Sequence, residues 1–241
     1  MVEERKWVGL VTGATSGIGR AVAIELASAC NQLLLAGRSQ DRLDNVREAA
    51  SKDCGATLGL GVDLADSVQV TAFTKAVMAR IDRLDVLIHG AGQMVSGLVK
   101  DARLEDFEEQ FRINVLAPFA ITKALLPLLE SARGQVVFVN SSVVFYPGTA
   151  TAPYAATKHA LKGFADHLRQ EVNQLGIRVL SVFPGRTATP LQEKVHAWEG
   201  KGYVPEKLLQ PEDVASSIVH ALTMPRTAEI TDIMIRPAQK Q

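Results

Sequence analysis

The stretch Thr12-Gly13-Ala14-Thr15-Ser16-Gly17-Ile18-Gly19 joins a short apolar run, Trp7 to Thr12, to a segment, Arg20 to Ala29, that places Val22, Ala23, Leu26 and Ala27 on one stripe. Such a run is a buried strand, and such a stripe is a helix face. Gly13 permits the tight turn between them, while Gly17 and Gly19 let backbone approach a ligand and let the helix pack on the strand. Thr15, Ser16 and the helix N-terminus offer hydroxyls and free N–H groups to a phosphate. The spacing is Gly-x-x-x-Gly-x-Gly; the register Gly-x-Gly-x-x-Gly, begun at Gly17, would put Val22 in the third glycine position. No lysine follows Gly19, which excludes the phosphate loop of nucleoside triphosphatases.

The strand-then-helix unit recurs along the whole chain. Strands are predicted at Gln32 to Ala36, Thr57 to Val62, Leu84 to His89, Gln135 to Asn140, Arg178 to Phe183 and Glu229 to Ile235. Helices are predicted at Asp41 to Ser51, Ser67 to Ile81, Leu104 to Leu129 (bent at Pro118), Tyr154 to Leu175 and Pro211 to Leu222. Apolar strands without alternation, each followed by a helix, indicate a parallel sheet covered on both faces. The expected fold is α/β, a doubly wound parallel sheet in one three-layer domain over residues 1–241. Ligands of such sheets bind beyond the carboxyl ends of the strands, near the switch in strand order.

Lys plus Arg and Asp plus Glu each number 26 among 241 residues, giving zero formal charge. That balance disfavours nucleic-acid binding by phosphate neutralisation. Hydrophobic residues at 47% and charged residues at 22% are ordinary for a globular chain. The two cysteines, Cys30 and Cys54, make neither a disulfide framework nor a metal-ligand pair, so no metal is expected. A reducing cytoplasm is the expected compartment. The longest stretch free of charge and His, Gly134 to Thr157, carries Gln135, Asn140, Ser141, Ser142, Pro147 and Pro153, so no membrane span is expected. Glu3 and Glu4 mixed with Arg5 and Lys6 do not read as a secretory signal.

From Thr12 to Gly19 the chain resembles the short-chain dehydrogenase/reductase family, whose glycine motif is Thr-Gly-x-x-x-Gly-x-Gly. The resemblance continues at Asp63 after the third strand, at Gly90-Ala91-Gly92, at Asn114 before Val115, at Ser142, Tyr154 and Lys158, and at Pro184-Gly185 followed by Thr189. It implies a Rossmann-like fold and a dinucleotide held by Gly13, Thr15, Ser16, Gly17, Ile18, Gly19, Arg38, Ser39, Asp63, Leu64, Gly90, Ala91, Gly92, Tyr154, Lys158, Pro184, Gly185, Thr187 and Thr189. Asp63 would meet the adenine, and the segment from Pro184 to Thr189 the nicotinamide.

The end of the second strand points to NADP(H). It reads Leu35-Ala36-Gly37-Arg38-Ser39, with Gly37 where an NAD-selective acid would stand. A carboxylate there would repel a 2′-phosphate, whereas the Arg38 guanidinium pairs with it and Ser39 adds a hydroxyl.

Tyr154 and Lys158, four apart at a helix start, lie on one face. A neighbouring ammonium favours a phenolate and lowers its pKa, so Tyr154 is expected to be poised as general acid or base. The resemblance implies that Lys158 also holds the nicotinamide ribose, that Ser142 orients the substrate oxygen, and that Asn114 holds a relaying water. Ser141 is the alternative serine, since many relatives place it 13 residues before the tyrosine. A second pair at the same spacing, Tyr203 and Lys207, has Pro205 between its members and no strand before it, and reads as chance. His89 takes the place of a family asparagine and reads as a strand-end histidine bonded to backbone. Arg236-Pro237 ends the last strand instead of the frequent glycine pair.

The connection Arg186 to Gln210, with His196, Trp198 and Tyr203 and possible hinges at Gly200 and Gly202, reads as a substrate lid. Phe145 and Tyr146 read as a further pocket wall. The expected activity is hydride transfer between NADP(H) and a carbonyl or alcohol small molecule. A non-catalytic NADP(H)-binding sensor, and an epimerase or dehydratase with bound NAD, are the alternatives. A homodimer or homotetramer is implied by the resemblance. It would join through Phe107, Phe111, Leu125 and Leu128 on one long helix and Ala156, Ala160 and Gly163 on the other.

Overall fold

The computed structural model describes residues 6–238, so the expectation resting on Glu3, Glu4 and Arg5 lies outside the described residues. Among these, β1 (Trp7–Thr12), β2 (Cys30–Gly37), β3 (Ala56–Gly61), β4 (Val86–His89), β5 (Gln135–Val139), β6 (Arg178–Pro184) and β7 (Asp232–Ile235) form one sheet in the order β3-β2-β1-β4-β5-β6-β7. Every pairing is parallel. The helices are α1 (Gly17–Leu26), α2 (Gln40–Ala50), α3 (Ser67–Met78), α4 (Leu104–Phe111), α5 (Ala117–Ala132), α6 (Ala152–Val172), α7 (Pro190–Glu199) and α8 (Pro211–Thr223).

Two cores explain why the strands lack polar alternation. Val11, Leu35 and Ile88 point to one face and pack with Val22 and Leu26 of α1 and Ile218 of α8. Leu10, Leu34 and Leu87 point to the other and pack with Val70 of α3, Ile121 of α5 and Leu161 of α6. With both faces covered, the central positions of the inner strands are apolar on both sides. Fully burying each such side chain is worth about 1.5–3 kcal/mol.

Register decides where the loops open. Thr12 stands level with Ala36 on one side and His89 on the other, and His89 with Phe138. Four strands therefore finish together, and the loops after them share one edge. Chain order reverses between β1 and β4, so the crevice of the doubly wound fold lies there.

Three expectations change. The long helix is not bent at Pro118. It divides at a π-helical turn, Arg112–Leu116, between α4 and α5, while Pro118 sits unstrained in the first turn of α5. Wide turns of this kind are frequent at functional sites, and Asn114 lies inside this one. The last strand starts at Asp232 instead of Glu229, because the Glu229 carboxylate accepts from Val179 N at 2.8 Å and ends the ladder with a side chain. Leu104–Ala132 is also long and apolar enough, by length and composition, to cross a membrane, which the sequence reading passed over. Here Ile121, Leu125 and Leu129 are wholly buried in the core.

Candidate active site

The shared edge encloses a cleft of about 410 Å³. On one side it begins at the glycine loop. Gly13, with φ +68°, is the tightest point: a Cβ there would lie 2.6 Å from Ala91 backbone, so only glycine lets the loops after β1 and β4 touch. Gly17, with φ +52°, opens α1, and Thr189 packs on it. Ser16 caps α1 by position but makes no side-chain cap bond. The free N–H groups of the first turn are therefore available to an anion, and Gly17 and Ile18 line the cleft. Gly19 does not line it. A Cβ there would meet Gly13 O at 2.4 Å, so its role is helix packing.

Beyond β2, Arg38 is exposed and lines the cleft. Gly37 has a steric reason: a Cβ there would sit 2.6 Å from Thr15 Cγ2, so the Thr15 methyl fills the space an acidic residue would need. Ser39 is committed elsewhere, its Oγ accepting from Arg42 N to cap α2, and it does not line the cleft. Asp63 and Leu64 do, with Asp63 Oδ1 accepting from Ala65 N at 3.0 Å. Gly90, Ala91, Gly92, Pro184, Gly185, Thr187 and Thr189 complete the expected lining. These donors, with one free-facing guanidinium and no competing acid at position 37, fit a dinucleotide carrying a 2′-phosphate.

The other half of the cleft holds the reactive groups. Thr151 stands just before α6, and Tyr154 and Lys158 lie on the helix's first turns. Lys158 is buried at 3% exposure, its Nζ donating to Val139 O at 2.9 Å and lying 5.7 Å from the Tyr154 ring centre. Burial pulls the Lys158 ammonium down to about 8. Burial likewise pushes the Tyr154 phenol up to about 12, and a hydrogen bond from Ser141 offsets part of that. Desolvation thus outweighs the Ser141 hydrogen bond, and the expected lowering by Lys158 is not among the causes of the shift.

Of the two serines, Ser141 is the one whose hydrogen bond lowers the Tyr154 phenol. The strand continues extended through Ser141, with φ −159° and ψ 147°, before a 3₁₀ turn begins at Ser142. That geometry sends the first serine toward the tyrosine and puts the second on the turn, still lining the cleft.

Three polar groups brace this centre that sequence reasoning missed. Asn140, 3% exposed, donates from Nδ2 to Lys158 O and accepts from Ser141 N, fixing the serine against the helix. Its only sequence signal is a polar residue ending an apolar strand. Thr157 Oγ1 donates to Tyr154 O and accepts from Asn114 Nδ2 at 3.0 Å. Gln93 exchanges two main-chain bonds with Asn114, its N donating to Oδ1 and its O accepting from Nδ2, both at 2.8 Å. Both Nδ2 protons of Asn114 are therefore spent within the protein.

Other expectations part ways here. His89 bonds a side chain, Thr122 Oγ1 at 2.8 Å, instead of backbone, and stacks on Phe138 with ring centres 4.9 Å apart. Burial pushes its ring down to about 3, and it does not line the cleft. Of the predicted wall, Tyr146 lines the cleft while Phe145 packs edge-on against Phe183. The segment 186–210 contains helix α7, which turns Leu191, Val195 and Glu199 to the cleft; His196 is buried against Tyr203 and Trp198 faces outward. Tyr203 and Lys207 do not line the cleft.

A crevice at the switch point of a doubly wound sheet, with a glycine loop at one end and a serine–tyrosine–lysine group at the other, defines a dinucleotide-binding enzyme fold. The chain matches the family model "short chain dehydrogenase" over residues 7–200, and it belongs to that family. It is 28% identical to an uncharacterized oxidoreductase of Staphylococcus epidermidis, over 98% of this chain and 100% of that protein. It is 29% identical to one of Staphylococcus aureus, over 95% of this chain and 96% of that protein. Among solved structures it resembles an alcohol dehydrogenase from the archaeon Thermococcus sibiricus complexed with 5-hydroxy-NADP, with TM-score 0.88, 25% identity, and coverage of 98% and 99%. It also resembles a variant of actinorhodin polyketide ketoreductase with NADPH, with TM-score 0.85, 25% identity, and coverage of 97% of each chain.

Proposed function

We propose that this short chain dehydrogenase is an NADP(H)-dependent oxidoreductase that interconverts a carbonyl compound and an alcohol. The observation that carries the reading is the meeting of Ser141, Tyr154 and Lys158 in one cleft with the glycine loop. Similar proteins solved with NADP or NADPH support the cofactor. When bound, the nicotinamide supplies or accepts the hydride. The α1 N-terminus, Thr15 and Ser16 would hold its phosphates, Arg38 its 2′-phosphate, and Asp63 and Leu64 would border its adenine.

At neutral pH a phenol pushed up to about 12 is protonated, so Tyr154 is a proton donor to a carbonyl oxygen. Ser141 donates to the same oxygen and orients it. Lys158, held by Val139 O, would bind the ribose and replenish the proton. Asn114 has one Oδ1 lone pair left for a relaying water, and its larger role is to tie Gln93 to Thr157. The segment 186–210 covers the substrate through α7. The intact centre gives no reason for a purely sensing role.

Arg38→Ala tests the cofactor assignment. Affinity for NADPH should fall by about 10- to 150-fold, the value of one charge-assisted contact, while affinity for NADH stays level. Equal losses for both overturn the assignment. NADPH consumption across a panel of aldehydes and ketones tests the activity.

We also propose a homo-oligomer. Leu125 is spent in the chain's own core. Leu104, Leu116 and Phe119 remain exposed, however, and Gly163 has open space above it on the neighbouring helix. Light scattering at micromolar concentration should return a dimer or tetramer of the 26.0 kDa chain; a fully active 26.0 kDa species refutes this. Two free buried cysteines, with burial pushing Cys30 up to about 12, suit a reducing compartment such as the cytoplasm.

A further inference from the structure

Two charged side chains in the cleft have no part in the scheme above: Arg186 and Glu199. Strand order serves as a ruler for their position. Neighbouring strands lie ~4.8 Å apart. Arg38 follows β2 and Arg186 follows β6, four strand positions or ~19 Å away along the sheet edge. Arg186 is one position from the β5 loop that carries Ser141, so it borders the reacting end.

Glu199 comes to it from α7. Leu191, Val195 and Glu199 are four apart and form one helical stripe facing the cleft. The carboxylate takes both outer nitrogens of the Arg186 fork, Nη1 at 3.0 Å and Nη2 at 2.5 Å, and Lys201 Nζ lies 3.0 Å from Oε2. Among the described residues the other charged side chains lining the cleft are Arg38, Asp63 and Lys158, all assigned to the cofactor or the proton path. What is left facing a substrate is neutral, with Val143, Leu191 and Val195 supplying apolar surface.

We propose that Glu199 sets the charge of the substrate: by occupying the Arg186 fork it closes the site to carboxylate- and phosphate-bearing carbonyl compounds and reserves it for uncharged ones with an apolar body. This rests on the carbonyl–alcohol reading above. An incoming carboxylate meets a guanidinium already engaged and a second carboxylate beside it. Displacing Glu199 breaks both of its bonds to the Arg186 fork and leaves it only Lys201, and sitting next to it sets like charges in contact. The Arg186 hydrogen bonds hold the Glu199 carboxyl down at about 2, so the block persists across the working pH range. A neutral substrate meets neither penalty and gains from apolar burial against α7.

The test compares an α-keto ester with the α-keto acid of the same skeleton, as kcat/KM with NADPH. The wild-type protein should prefer the ester. Glu199→Gln should shrink the ester-to-acid ratio by about tenfold or more, the worth of one charge-assisted contact to the freed guanidinium. Arg186→Gln, which leaves Glu199 with Lys201 as its one remaining cationic partner among the described residues, should enlarge the ratio. Opposite shifts from the two ends of one pair separate a charge effect from general damage. The same comparison by calorimetry, with the NADPH-loaded Tyr154→Phe protein, needs no turnover. Turnover with a wild-type preference for the acid, or an unchanged ratio in Glu199→Gln, overturns this proposal and leaves the oxidoreductase reading standing. Discrimination in binding without turnover of any carbonyl compound does the reverse.

Discussion

Tyr154–Lys158 and Tyr203–Lys207 have the same spacing and opposite fates. The first pair rides on the first turns of α6, where a separation of four residues means one face. The second straddles the end of an extended segment and a 3₁₀ turn, Pro205–Lys207, where it means nothing of the kind. Lys158 is buried, bonded to Val139 O and drawn down to about 8, while Lys207 is exposed. Tyr154 has Ser141 at its oxygen. Tyr203 has the His196 ring, and burial and the nearby Glu193 and Glu206 push its phenol up without any donor at the hydroxyl to use it. The lesson is that the spacing yields a buried, hydrogen-bonded pair only where a strand end meets it. β5 delivers Val139, Asn140 and Ser141 to the first pair, and no strand delivers anything comparable to the second.

Substitution at the two tyrosines gives the widest separation. Tyr154→Phe should cut kcat by about 10²- to 10⁴-fold, the usual contribution of a positioned proton donor, with NADPH affinity nearly unchanged. Ordinary activity in that variant would break the comparison outright.

Stability against pH sharpens it next. The folded-state pKa of Lys158, about 8, lies below the unfolded value near 10.4, so between these pH values the unfolded chain binds the extra proton. Stability should therefore rise from pH 8 to about 10.4, by roughly 3 kcal/mol in all. Tyr154 has the opposite sign. Its pKa is raised from near 10 to about 12, so its contribution is lost as pH climbs through that window. Urea unfolding should show the rise vanishing in Lys158→Met and the later fall vanishing in Tyr154→Phe. Lys207→Met should retain the rise.

A smaller effect concerns the cofactor. Lys158→Met should weaken NADPH binding about tenfold through loss of its charged contact, measured by fluorescence titration. Tyr203→Phe and Lys207→Met should stay within about twofold on every count, as surface substitutions do. A larger loss at either would show that the second pair belongs to the site after all.

Much of this was legible in the residues themselves. The glycine loop, the parallel sheet and Tyr154 with Lys158 came from patterns of short range: a turn, a period, a face. The errors came wherever a neighbour distant in sequence had the deciding contact. Ser141, the alternative serine, is the one bonded to Tyr154, and the backbone stays extended through it beyond the end of β5 at Val139. Gly19 left the cleft because Gly13 O fills the space beside it, and Ser39 because Arg42 N claimed its hydroxyl. His89 found Thr122, which lies 33 residues away. Asn140, Thr157 and Gln93 were invisible for the same reason, since a polar residue's value depends on what it bonds.

The sequence by itself determined the sheet, the two apolar faces, the glycine loop that opens α1 and the sign of charge at Arg38. Each is written in the spacing of residues close along the chain, where backbone geometry alone fixes which side chains share a face. Only the tertiary structure decided which serine serves Tyr154, which way burial moves the Tyr154 and Lys158 protons, and that Glu199 reaches across to Arg186. Those outcomes depend on solvent exclusion and on contacts between elements, and neither exists until the strands have closed into a sheet and the helices have covered it.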